Sequence, residues 1–170
     1  MPFNKPKKSL TLPLILMGTG VCAFSNIANN ISGDIFISLG FSDNYVDGEY
    51  PLGFFGVILT IVSTAVIPAL VEEFGMRGAC LGTLRRYGDG FAIFCSSLLF
   101  GFIHGNFSQI VFAMFTGIAT GYATVKSGSI WPAVIIHFIN NFISIFVYYL
   151  SVWFGATASN IIYLFILIFS

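Results

Sequence analysis

Two carboxylates and a guanidinium interrupt an otherwise apolar stretch of the chain. Residues 71–80 read Val-Glu-Glu-Phe-Gly-Met-Arg-Gly-Ala-Cys. A charge at the centre of a bilayer costs at least ~2.5–3.5 kcal/mol on insertion scales, so Glu72, Glu73 and Arg77 need partners, a wet cavity or a chemical task. On a helix, Glu73 and Arg77 lie about one turn apart and can form an ion pair. Because Glu72 points about 100° away from Glu73, it is the carboxylate left free.

Two histidines and an asparagine add further groups that could do chemistry. His104 and His137 are the only two histidines of the sequence, and Asn141 follows His137 by about one helical turn. Counted at about 1.5 Å per helical residue, Glu72, His104 and His137 lie ~16–20 Å from the nearest predicted cytoplasmic turn. Each has an ordinary structural interpretation, since a buried histidine often binds only backbone and an asparagine can link two membrane helices. Their common depth on three helices favours a single site.

The composition predicts an all-α, polytopic transmembrane helix bundle. Of 170 residues, 56% are hydrophobic and only 8% are charged, which is typical of membrane proteins and not of soluble domains. The formal net charge is zero and no long basic run is present, so we expect a lipid bilayer as surroundings and no nucleic acid as a partner. Cys22, Cys80 and Cys95 lack a Cys-x-x-Cys spacing, which indicates packing residues.

Apolar runs with helical spacing divide the chain into about six membrane segments. The predicted segments cover residues 10–39, 52–86, 91–104, 107–125, 130–153 and 160–170. Residues 42–51 form an acidic loop with Gly and Pro breakers. We therefore expect a basic cytoplasmic amino terminus at residues 1–9 and one transmembrane helical domain at 10–170, with a catalytic core at about 52–150.

Local features predict how these segments pack. Asn26, Asn29 and Asn30 form a polar stripe on the first segment that we expect to face neighbouring helices. Pro68 removes a backbone hydrogen bond and predicts a kink one turn before Glu72. The glycine pairs at 78 and 82 and at 117 and 121 predict faces that allow close contact between helices.

Three motifs on successive segments resemble one family. Glu72-Glu73-x-x-x-Arg77, Phe100-x-x-x-His104 and His137-x-x-x-Asn141 occur in the order found in the CAAX prenyl protease and bacteriocin-processing (abortive infection) family of intramembrane glutamate proteases. The resemblance covers residues 71–141. The lead-in Ser-Gly-Ser-Ile-Trp-Pro-Ala at residues 127–133 is also similar to bacterial members.

The resemblance implies an intramembrane endopeptidase of a bacterial cell membrane. Glu72 and His104 would activate water, and His137 with Asn141 would stabilise the oxyanion, while Glu73 and Arg77 complete the motif. This chemistry suits the residue types, because hydrolysis needs a base and preorganised donors. The implied substrate is a peptide or prenylated peptide, in CAAX-type protein processing or in bacteriocin maturation and self-immunity. No cofactor is expected.

Three alternatives remain open from the residues. Two histidines and a glutamate could bind zinc, although the sequence has no His-Glu-x-x-His motif and asparagine is a poor zinc ligand. A non-catalytic membrane immunity or scaffold protein would need the bundle without the chemistry. A transporter could use the buried charges as a proton relay, but we find no repeat of the motif-bearing segment.

The positions of the basic residues predict the orientation. If the segments alternate in direction, six cationic residues lie on the same side of the membrane: Lys5, Lys7, Lys8, Arg85, Arg86 and Lys126. The positive-inside rule assigns that side to the cytoplasm.

Single cysteines introduced at Lys5 and Lys126 of a cysteine-free variant should react with an impermeant thiol reagent only from the cytoplasmic side. A cysteine at Asp47 should react from outside, and labelling of Asp47 and Lys126 from the same side would contradict this topology.

Overall fold

Helices account for nearly all of the described structure. The computed structural model describes residues 3–41, 50–155, 157, 161 and 164. The helices are α1 (Lys8–Ser38), α2 (Phe54–Tyr87), α3 (Asp89–Phe102), α4 (Phe107–Ser127) and α5 (Trp131–Phe154). No β-strand occurs among these residues, and their β-type pairing is one isolated bridge between Phe3 and Ser129. The predicted all-α fold is confirmed.

Within the described residues, three helices are long and apolar enough to cross a bilayer. These are α1, α2 and α5, whereas the apolar helix α3 is only 14 residues long. The predicted helix at 91–104 is wrong at its end, because α3 stops at Phe102 and His104 lies in the following turn. The predicted sixth segment falls largely outside the described residues, as does most of the acidic loop. The division at residue 9 and the catalytic core at 52–150 stay predictions.

Helix α2 is wound irregularly on both sides of the glutamates. Residues Ile61–Val66 and Phe74–Leu81 are π-helical, with α-helix at Ile67–Glu73 between them. The first π-helical turn directly precedes Pro68, where the missing backbone N–H predicts a disturbance. Nothing in the sequence predicts the second. Because π-helical turns shift the helical register, local spacing alone does not fix where the side chains of α2 point.

Close contacts between helices occur at one of the two predicted glycine pairs. Gly117 of α4 lies against Ser97 of α3, and Gly121 lies against Leu81 and Ile93. These glycines let α4 approach its neighbours closely.

The prediction for the other pair is wrong. A side chain at Gly78 would meet the ring of Phe3, and one at Gly82 would meet only the carbonyl of Arg77 in the same helix. The pair therefore forms no helix-to-helix contact among the described residues.

The amino-terminal segment folds back on the turn between α4 and α5. Phe3 bridges Ser129, the Lys7 N–H donates to the Ser127 carbonyl at 3.4 Å, and the Phe3 ring centroid lies 5.2 Å from that of Phe74. The basic amino terminus and Lys126 therefore lie at the same end of the bundle, which agrees with a topology that puts both on one side of the membrane.

Gly117→Ala should destabilise the bundle. A Cβ atom at this position would lie 2.9 Å from both Cα and Cβ of Ser97, so backbone has to move. Overpacking of this kind costs about 1–3 kcal/mol, and we expect a fall of roughly 3 °C or more in the unfolding temperature in detergent. Gly75→Ala is the matched control, because no described atom beyond the adjacent residues and the local helix backbone lies within 4 Å of its added Cβ. Equal unfolding temperatures for the two variants would contradict the close approach.

Candidate active site

A fully buried carboxylate joins an arginine and a histidine. Glu73 Oε2 lies 3.1 Å from Arg77 Nε, and Glu73 Oε1 lies 2.9 Å from His137 Nδ1. The ion pair within α2 is the one that the spacing predicts. Since a carboxylate only accepts hydrogen bonds, His137 Nδ1 carries the proton and donates it to Glu73. Glu73 thereby fixes the orientation of the His137 ring.

The Arg77 guanidinium connects α2 to two other helices. Its Nη2 donates to the Gly117 carbonyl at 3.2 Å and to the Thr120 hydroxyl, both on α4. Its central carbon lies 4.5 Å from the ring centroid of Phe100 on α3. Nε and Nη1 are buried without a hydrogen-bond partner among the described residues. The cost of burying this cation is therefore offset by the two Nη2 hydrogen bonds, the Phe100 ring face and the charge of Glu73.

Glu72 has a different environment from its neighbour. One third of the Glu72 side chain is exposed, whereas the Glu73 side chain is fully buried. Glu72 also lines a cavity. Its Oε2 lies 3.9 Å from His137 Nε2. The two adjacent glutamates therefore approach opposite nitrogens of one imidazole, Glu73 at Nδ1 and Glu72 at Nε2.

His104 is oriented by the end of α3. Its Nδ1 lies 2.8 Å from the carbonyl of Phe100 and must donate to it, which leaves Nε2 as an acceptor in the neutral ring. The Phe100 ring is fully buried and packs edge-on against both imidazoles, with centroid distances of 4.9 Å to His104 and 5.8 Å to His137. Phe100 thus spaces the two histidines and contacts Arg77, roles that the motif spacing does not reveal.

Asn141 binds a backbone carbonyl that Pro68 leaves without its usual hydrogen-bond donor. Proline has no N–H to offer the carbonyl four residues earlier, which belongs to Thr64. Asn141 Nδ2 donates to that carbonyl at 3.0 Å, and Asn141 Oδ1 accepts from Asn140 Nδ2 at 3.1 Å. A primary amide has two N–H donors, so one remains for another acceptor. The sequence predicts the free carbonyl but not its partner on another helix.

One cavity of about 540 Å³ brings four of the predicted site residues together. Glu72, His104, His137 and Asn141 line it, whereas Glu73 and Arg77 lie behind this lining and are fully buried. Sequence reasoning missed Asn140 and Thr64, which also line the cavity. It placed Asn26 and Asn29 only in a stripe facing other helices, and both of these line the cavity as well.

Within the part of the chain that the structure describes, no three His, Cys, Asp or Glu side chains are grouped as a set of metal ligands. The zinc alternative stays a hypothesis.

Glu73→Gln should destabilise the protein more than Glu72→Gln. The first change leaves Arg77 buried beside a neutral amide and weakens the contact with His137, at a cost on the order of 3 kcal/mol. The second change affects a partly exposed group and should leave the unfolding temperature in detergent close to that of the wild type. Unfolding curves of both variants in the same detergent test this. A stable Glu73→Gln protein beside an unstable Glu72→Gln protein would reverse the two roles.

Comparison with known proteins places the chain in a family. A family model described as "Type II CAAX prenyl endopeptidase Rce1-like" matches residues 54–143, which is 90 of the 170 residues. No curated protein and no solved structure gives a significant match. The matched range runs from the start of α2 to just beyond Asn141 and holds all six predicted site residues. With more than half of its length matched and its helices apolar, the chain belongs to the Rce1-like family of type II CAAX prenyl endopeptidases and is an integral membrane protein.

Proposed function

We propose that the protein is an intramembrane endopeptidase that hydrolyses a peptide bond with a water activated by Glu72 and His104. The observation that carries this proposal is the shared cavity, in which the Glu72 carboxylate lies 3.9 Å from His137 Nε2 and His104 and Asn141 form other parts of the lining. A free carboxylate, an imidazole and a carboxamide are together sufficient for acid–base hydrolysis.

Water activation falls to the two groups with unused acceptor atoms. Glu72 is partly exposed to the cavity, and the Nε2 of His104 is left as an acceptor because its Nδ1–H is bound to Phe100. In our mechanism a water donates to these two groups and its oxygen attacks the substrate carbonyl carbon. One water proton passes to Glu72 or His104, and the same proton is later given to the leaving amine.

Stabilisation of the oxyanion falls to Asn141 and His137. The remaining N–H of Asn141 is preoriented, because Thr64 and Asn140 already hold the other ends of the carboxamide. Because His137 Nδ1–H is bound to Glu73, Nε2 can donate to the oxyanion only when the ring carries both protons. Donors fixed in advance in a site with little water are the main source of such stabilisation.

Glu73 and Arg77 act in this proposal as positioning residues. Neither lines the cavity, and Glu73 contacts the substrate-facing ring of His137 through Nδ1. Arg77 in turn holds Glu73 and reaches α4 through Gly117 and Thr120. Their replacement should therefore alter the site through the orientation of His137.

The substrate we propose is a peptide segment that reaches the cavity from the membrane. The family match supports a CAAX-type carboxyl-terminal peptide, with or without a prenyl group. Bacteriocin maturation or self-immunity is the second context that we propose for the same hydrolysis. A bacterial cell membrane is the location we propose, because residues 127–133 resemble bacterial members of the family. A cytoplasmic amino terminus is proposed from the distribution of lysines and arginines.

Glu72→Gln should reduce hydrolysis by at least the ~10²-fold typical of a lost general base. The variant keeps the size and hydrogen bonding of the side chain but cannot take a proton. The measurement is cleavage of a peptide library, with prenylated and unmodified members, by purified protein in detergent. Asp34→Asn is the matched control, since it makes the same chemical change at an exposed position of α1 and should leave cleavage unchanged.

Two further arms separate the alternatives. Loss of cleavage with a chelator and its recovery with zinc would favour a metal mechanism over the one proposed. A wild-type protein that is folded but cleaves no peptide, prenylated or unmodified, would favour a non-catalytic membrane protein.

A further inference from the structure

Helix α1 contributes a polar wall to the cavity although it lies outside the matched range. Asn26 and Asn29 both line the cavity, while the family match begins only at residue 54. They are three residues apart and so lie on one face of the helix. Neither belongs to the groups that the proposed hydrolysis uses.

The two asparagines are held in place by packing. Gly18 of α1 lies against the side chain of Ile136 on α5. Leu14 and Cys22 of α1 form a buried cluster with Ile136 and with Ala123 of α4. This cluster occupies the turns of α1 that precede Asn26, so the helix presents its asparagines to the cavity at a fixed position.

Asn29 has an unused hydrogen-bond acceptor. Its side-chain oxygen is buried and has no hydrogen-bond partner among the described residues. By contrast, the side-chain amide of Asn26 donates to the carbonyl of Cys22 at 3.0 Å. Buried polar atoms in native proteins almost always have a partner, so an orphan acceptor on a residue that lines a cavity indicates a donor supplied by whatever occupies that cavity.

An extended peptide supplies such a donor. Each of its residues other than proline carries one N–H and one carbonyl, and these groups lose water when the peptide enters a cavity in the membrane. A carboxamide offers one acceptor and two donors and can therefore pair with a peptide unit whatever the side chain is.

We propose that Asn29 is a substrate-binding residue that accepts a hydrogen bond from a backbone N–H of the bound peptide. The inference rests on the proposed endopeptidase function. Asn29 holds the peptide main chain on the α1 side of the cavity while Glu72, His104, His137 and Asn141 act on the scissile bond. Binding of this kind selects an extended backbone and not a particular sequence.

The test uses a farnesylated, internally quenched peptide ending in Cys-Val-Ile-Ala. Asn29→Ala should lower kcat/KM about fivefold to tenfold, as expected for one lost hydrogen bond. Asn30→Ala is the matched control, because Asn30 is the next residue of the same helix but is exposed and does not line the cavity. Its kinetics should equal those of the wild type.

A series of ester peptides distinguishes substrate binding from a structural role. Each backbone N–H of the probe is removed in turn by replacing one amide with an ester. At one position the ester should lower kcat/KM of the wild type and of Asn30→Ala by about the same fivefold to tenfold. The same ester should not lower kcat/KM of Asn29→Ala any further. A purely structural effect of Asn29 would leave the ester penalties of all three proteins the same, and that result overturns the inference.

The outcomes also separate this inference from the function on which it rests. Cleavage by the wild type, abolished by Glu72→Gln, with equal kcat/KM for Asn29→Ala and Asn30→Ala, overturns the inference alone. No cleavage by the folded wild type counts against both. Should Asn29→Ala fail to fold, Asn29→Leu replaces it, because the leucine side chain branches at Cγ as asparagine does and accepts no hydrogen bond.

Discussion

The structure depends on a single buried carboxylate. Glu73 is fully buried between Arg77 of its own helix and His137 of α5, and neither contact can be lost without leaving a charged or polar group unpaired in an apolar interior. Assembly of α2 with α5 is therefore tied to this pairing. It also decides the chemistry, because the nitrogen of His137 that is not bound to Glu73 is the one that lies near Glu72.

A second link between the same helices begins with a missing backbone donor. Pro68 leaves the Thr64 carbonyl without its usual partner, and Asn141 takes that place. His137 and Asn141 are one turn apart on α5, so α5 is attached to α2 at two successive turns. The contacts act on opposite sides of Pro68 in the chain, one at Thr64 and one at Glu73. The same two side chains that join the helices are the proposed oxyanion donors.

The sequence predicted what depends on local spacing and burial. Apolar runs located the helices to within two or three residues, and the four-residue spacing located the Glu73–Arg77 pair. The contact of His137 with Glu73 spans 64 residues and depends on how two helices rotate against each other, which no local pattern records. The π-helical turn at Phe74–Leu81 changes that rotation further. His104 was placed inside a helix because apolar residues continue up to it, whereas α3 ends two residues earlier.

The packing of α1 has a consequence for the order in which the protein assembles during synthesis. Helix α1 is synthesised before α4 and α5, the helices it packs against. Until they arrive, the amides of Asn26 and Asn29 have no cavity to face and remain exposed to lipid or to the insertion machinery, at an energetic cost. Asn26 and Asn29 can therefore face the cavity only after α5, the last described helix, has been synthesised.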